Sequence, residues 1–158
     1  MGDYLKGMTD TTQTPPAPST HPAYGPPLSL DKARRVLAAA EAEANANGWP
    51  VVISLFDSGG NLKLLQRLDN ANHGAVALSQ RKAHAAILFR APTQAFEALL
   101  TSGPEGLRML TMAPELLPLA GGLPLLEQGQ VIGSIGVSGM QPHQDAQVAR
   151  AGARSLDP

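Results

Sequence analysis

The chain contains no cysteine. That excludes disulfides, thiolate catalysis and cysteine-ligated zinc or iron–sulfur centres. Aromatic side chains are scarce as well: three Phe, two Tyr and one Trp in 158 residues. Any aromatic-lined pocket therefore has to borrow residues from a neighbouring molecule. Neither sign of charge dominates, with 12 Lys and Arg against 13 Asp and Glu. The basic residues are scattered, the only adjacent pairs being Arg34-Arg35 and Arg81-Lys82. Polyanion binding needs a concentrated cationic face, so nucleic acid is not an expected partner. A near-neutral chain also gains little solubility from charge repulsion, which is compatible with self-association. No apolar run approaches the length of a membrane span, and the N-terminus lacks the apolar core of a secretory leader. The expectation is a cytoplasmic protein without membrane attachment.

What is present begins with proline. Residues 1–27 hold six of the fourteen prolines. Such a segment cannot continue a helix and offers little to bury, so a mobile tail is expected there, followed by one domain over 28–158. Within the tail's last part, His21 to Pro27, Tyr24 is able to pack on a neighbouring surface in extended form.

From Leu30 the spacing of Leu30, Ala33, Leu37, Ala40 and Ala44 predicts a helix, with Ser29 as N-cap and Asp31 near the positive end of its dipole. Asn47-Gly48 ahead of Pro50 ends it. Val51–Asp57 and Leu62–Asp69 read as strands of a hairpin turning at Ser58-Gly59-Gly60-Asn61. Residues 74–90 form an alanine-rich helix that stops before Pro92. Thr93 is placed to cap another, with Phe96, Leu99 and Leu100 on its apolar face. Ser102-Gly103-Pro104-Glu105 has the form of a capping box for a short third helix.

The stretch Gly121 to Gly139 is a second hairpin, turning at Gln128-Gly129, whose returning strand carries Gly133, Gly136 and Gly139. Glycine weakens a strand, so three of them imply that backbone, a helix or a ligand comes unusually close. A last helix occupies 142–156. Tight-turned strands with helices beside them imply an α+β domain: an antiparallel sheet built from hairpins and flanked by α-helices.

The glycines are not a dinucleotide fingerprint, which needs G-x-G-x-x-G between strand and helix, and Walker A is absent. Gly136-Val137-Ser138-Gly139 lacks the spacing of a nucleophile elbow. Among four histidines, His21 is on the tail and His143 starts the last helix, facing solvent. His73 and His84 share a face of the alanine-rich helix, about 16 Å apart at 1.5 Å per residue, so they cannot hold one metal ion together. His73 reads as a polar helix-start residue. His84 is either a half-buried hydrogen-bonded histidine or an axial ligand or acid/base group, since a neutral imidazole ligates iron and titrates near cellular pH. Arg67 either pairs with Asp57 across the first hairpin or points into a cleft to hold a carboxylate in bidentate fashion. Lys82 is able to do the same less specifically.

The ordered pieces Val51 to Phe56 with Asp57-Ser58-Gly59-Gly60, Arg67-Leu68-Asp69, Gln80-Arg81-Lys82-Ala83, Phe89-Arg90-x-Pro92-Thr93, Gly121-Gly122-Leu123-Pro124 and Ile132 to Gly139 resemble the GlcG/HbpS family, which includes the C-terminal domain of PduO. Gln144-Asp145 and Ala149-x-Ala151-Gly152 extend the likeness, which runs from about Pro26 to Leu156. The resemblance implies a compact sheet flanked by helices and assembled into homo-oligomers. It also implies haem, or a related tetrapyrrole, as ligand. At the position of His84 it associates small or hydroxyl residues with relatives, so the imidazole departs from that pattern.

Two functions follow. In the first, an oligomeric small-ligand-binding protein holds haem: His84 or His73 supplies the donor to iron, Arg67 or Lys82 meets the propionates, and Gly121 and Gly122 line the site. In the second, a cofactor-independent enzyme acts by acid/base chemistry on a small carboxylated catabolic intermediate. His84 is then the acid/base group, Arg67 the carboxylate anchor, and the Gly121-Gly122 amides stabilise an oxyanion.

Overall fold

The computed structural model describes residues 21–158. The expected tail over 1–20 lies outside the described residues. The first helix, α1 (Leu30–Asn47), starts where Ser29 accepts a hydrogen bond from the Lys32 amide. It ends at Gly48, whose φ of 68° is the left-handed cap that glycine adopts without strain. Its buried face is Ala33, Val36, Ala40 and Ala44, whereas Leu30 stays exposed in the first turn.

Four strands follow the two expected hairpins: β1 (Val52–Asp57) with β2 (Leu62–Arg67), and β3 (Gly122–Glu127) with β4 (Gln130–Ser138). The second turn has positive φ at both Gln128 and Gly129, as a two-residue hairpin loop requires. The hairpins join through β1 and β4 into one antiparallel sheet, ordered β2-β1-β4-β3. On one face Ile53, Leu55, Ile135 and Val137 pack with Val36 and Ala40 of α1 and with Val148 and Ala149 of α4 (Pro142–Arg154). Each such aliphatic side chain removed from water contributes about 1.5–3 kcal/mol.

The opposite face takes α2 (Gly74–Phe89), seated by short polar contacts rather than a wide apolar stripe. Ser134 donates to the Ala83 carbonyl at 2.6 Å, and the Ser54 and Ser79 hydroxyls lie 2.7 Å apart. The helix is so close that a β-carbon on Gly136 would collide with the Ser79 carbonyl and the Ala83 amide. Of the three sequence-level explanations for the glycine-rich strand, a helix backbone is what meets Gly136.

Residues 22–28 form a strap. β1 pairs with β4 only from Ser138 to Gly133. Beyond that point the strap takes its place: Gly25 donates to the Val131 carbonyl, the Val131 amide donates to Ala23, and Leu28 donates to Ile132. Tyr24 packs here as its sequence allowed, its hydroxyl 2.9 Å from the Ile87 carbonyl and 3.0 Å from that of Leu88. Arg90 lies over its ring at 5.0 Å and donates to the Pro22 carbonyl.

Two local expectations are corrected. Thr93–Leu100 is a 3₁₀ helix, and Thr93 does not cap it: its hydroxyl donates to the Leu119 carbonyl at 2.6 Å and accepts from the Gly122 amide at 3.0 Å. This long-range pairing overrides the local one. The capping box at Ser102 is not formed, because Gly103 precedes α3 (Pro104–Met112) with φ 79° and Ser102 donates back to Leu99.

Candidate functional site on helix α2

His73 stands at the N-cap of α2 without capping it. Its Nδ1 lies 3.3 Å from Arg67 Nη1, and since guanidinium only donates, Nδ1 accepts. Both side chains are exposed. The expected Asp57–Arg67 pair is absent. Arg67 lies opposite Val52, while Asp57 Oδ1 accepts from the Gly59 and Asn61 amides of the turn. In an antiparallel hairpin the residue before the turn cannot face the far end of the returning strand.

His84, in the third turn of α2, is half-buried. Its ring meets Phe56 with centroids 5.8 Å apart. It lines a surface cavity of about 190 Å³ with Arg81, Pro114 and Glu115. Arg81 precedes His84 by three residues and Leu88 follows by four, so all three share one helix face. Arg81 and Leu88 are exposed, and Arg81 has no ion-pair partner among the described residues.

Lys82 points the other way. Its side chain is 1% exposed, with Nζ 2.8 Å from Asp145 Oδ2 and 2.9 Å from the Val137 carbonyl. Asp145 Oδ1 accepts from the Met140 amide. Burial pulls the Lys82 pKa below its usual value, against the hydrogen bond and charge of Asp145. Burial likewise raises that of Asp145, against Lys82 and the Met140 and Gly139 amides. This ammonium group is enclosed in the core rather than offered to a ligand. Sequence reasoning picked Lys82 of the Arg81-Lys82 pair. The signal for Arg81 was its spacing: residues three apart on a helix are neighbours and residues two apart are not.

Gly121 and Gly122 are buried too. A β-carbon on Gly121 would come 2.9 Å from Lys82 Nζ, and one on Gly122 would strike the Lys82 carbonyl and Thr93. The Gly122 amide already donates to Thr93, so it is not presented to an oxyanion. His143, exposed at the start of α4, lies elsewhere. The structure thus brings His84, Arg81 and Glu115 to one cavity, and places His73 with Arg67 at the other end of α2. Among the described residues no group of three or more His, Asp or Glu side chains is placed to hold a metal ion.

The family described as haem degrading protein HbpS-like matches residues 28–154. The chain belongs to that family. It is 41% identical to protein GlcG of Escherichia coli over 111 residues, 70% of this chain and 81% of GlcG. A crystal structure of HbpS from Streptomyces reticuli, a double mutant, superposes with a TM-score of 0.76 at 31% identity, covering 90% of this chain and 95% of HbpS. A PduOC–haem complex shares the fold, with a TM-score of 0.75 at 24% identity over 83% of this chain and 96% of PduOC. The four-stranded antiparallel sheet and its helices are thus the architecture of the HbpS-like family, and haem-related ligand binding occurs among its members.

Proposed function

We propose that this HbpS-like chain is an oligomeric small-ligand-binding protein whose ligand is haem or a related tetrapyrrole, held where a second subunit closes over the His84 cavity. One observation carries the reading: a half-buried imidazole and the guanidinium of Arg81, which has no ion-pair partner among the described residues, line the same cavity. Haem asks for a donor to iron, a cation for its propionates and apolar surface. His84 would supply the first and Arg81 the second. Bound haem contributes an iron centre, and this chain's residues orient it and exclude water.

Enclosure has to come from a second molecule. The cavity of about 190 Å³ is smaller than the roughly 300–1,000 Å³ of a typical ligand pocket. Apolar surface stands exposed nearby: Leu107 is 56%, Met109 52% and Met112 77% exposed on α3, two residues before Pro114. These side chains, spread around α3 rather than along one stripe, supply apolar surface for a second subunit to cover. No described helix is long and apolar enough to cross a membrane.

Haem titration followed by absorbance tests the proposal. A sharp Soret band saturating at one equivalent per subunit is expected, lost in His84→Ala and weakened in Arg81→Ala. No spectral change at tens of micromolar (roughly the loose end of ligand affinities) would end the haem reading.

A further inference from the structure

We propose a second ligand site, for a small organic ammonium ion, in the cavity between the C-terminal end of α1 and the end of β2. At about 350 Å³ it is larger than the His84 cavity and within the range of small-molecule sites. Its lining combines Glu41, Asn45, Trp49, Leu68, Asp69 and Asn70. Two carboxylates, two carboxamides and an indole thus converge, with no Lys, Arg or His among them. Neither the Glu41 nor the Asp69 carboxylate has a hydrogen-bond or ion-pair partner among the described residues.

The backbone adds to the negative potential. The C-terminal end of a helix carries partial negative charge, and α1 has no basic residue in its last turn to offset it. Gly48 and Asn70 hold left-handed conformations at φ 68° and 66°, and Trp49 packs against the core with its amide on the Ala44 carbonyl.

The lining selects among cations. A bare divalent ion takes six or more oxygen ligands and has no use for an indole or a leucine wall. An alkylated or primary ammonium carries hydrocarbon together with its charge, and the face of Trp attracts such a cation. Asn45 and Asn70 offer hydrogen bonds to a hydroxyl or a second amine on the same molecule. The site is separate from His84. Pro50 precedes β1, whereas Phe56 and the β1–β2 turn adjoin His84, so the strand's length of roughly 20 Å intervenes.

Trp49 is the only tryptophan, so its emission reports on this cavity alone. The full chain is titrated with choline, ethanolamine and putrescine, and in parallel with sodium chloride and with the uncharged tert-butyl analogue of choline. A saturable emission change is expected with at least one of the three ammonium compounds, and about tenfold or greater weakening with the uncharged analogue. Glu41→Gln combined with Asp69→Asn should weaken the same binding by about tenfold or more without lowering the melting temperature. Trp49→Phe, followed by ligand-observed NMR, should weaken it severalfold. His84→Ala should leave it unchanged. The proposal is overturned by a flat response to all three, by an equal response to salt or the uncharged analogue, or by unaltered affinity in the double variant.

Discussion

Lys82 Nζ and Asp145 Oδ2 lie 2.8 Å apart with both side chains out of solvent, joining α2 to α4 beside Val137 of β4. Removing one member leaves the other charge buried without its partner, which costs about 3–5 kcal/mol, whereas replacing both with apolar side chains is often nearly neutral. Lys82→Met and Asp145→Leu should each lower the urea midpoint strongly. The double variant should be destabilised by much less than the sum of the two. Strict additivity would show that the pair is not coupled.

The same pair sets a pH dependence. Burial raises the Asp145 carboxyl above 3.8, so in the window just above that value the folded chain binds more protons than the unfolded chain. Its contribution to stability is fully present below 3.8 and is lost as pH rises through the raised pKa. Lys82, lowered from 10.5, contributes stability that is present above 10.5 and lost as pH falls through its lowered pKa. Relative to the Lys82→Met/Asp145→Leu variant, the native chain should therefore be least favoured near neutrality and gain as the solution is acidified. Urea midpoints of both proteins across that range check this, and a gap that shrinks on acidification contradicts it.

Gly136 and Gly129 separate close approach from backbone strain. Alanine at Gly136 meets the α2 backbone and should cost about 1–3 kcal/mol or more. At Gly129 nothing lies within 4 Å of the new methyl, and only the φ of 75° resists it, at roughly 1–2 kcal/mol. Thermal unfolding should rank Gly136→Ala below Gly129→Ala. The reverse order would mean that α2 shifts easily on the sheet.

Haem binding, if it follows the proposed geometry, discriminates the two helix histidines. His73 already faces the Arg67 guanidinium outside the His84 cavity. His73→Ala should keep the Soret band that His84→Ala loses. Loss in both variants, with folding intact, would move the site along α2.

Self-association has a similarly direct check. Leu107→Glu with Met112→Glu places charge at two exposed apolar positions of α3. The double variant should run as a smaller species in light scattering and lose haem affinity. An unchanged mass would assign the subunit contact to another surface.

Much of this architecture was legible because its signals are local. Ser29, Gly48, the Ser58–Asn61 turn and Gln128-Gly129 each fix their own few residues, and they gave α1 and both hairpins. The orientation of α2 was hidden by its composition. Alanines on every side leave no apolar stripe to mark the inner face, so nothing local says that Lys82 turns inward and Arg81 outward. The partner that decides it, Asp145, is 63 positions away. Thr93 misled for the same reason: its hydroxyl answers to Leu119 and Gly122, not to its own turn. Arg67 was different, since hairpin arithmetic alone rules out Asp57 as its opposite number.

The strap bears on how the protein is handled. Without residues 22–28, β4 would lose its hydrogen-bonding neighbours at Val131 and Ile132, and Leu28 would leave a gap in the interior. A bare ladder segment of that kind recruits strands from other molecules. Expression fragments trimmed to the start of α1 should precipitate, whereas fusions placed ahead of His21 leave the seam closed.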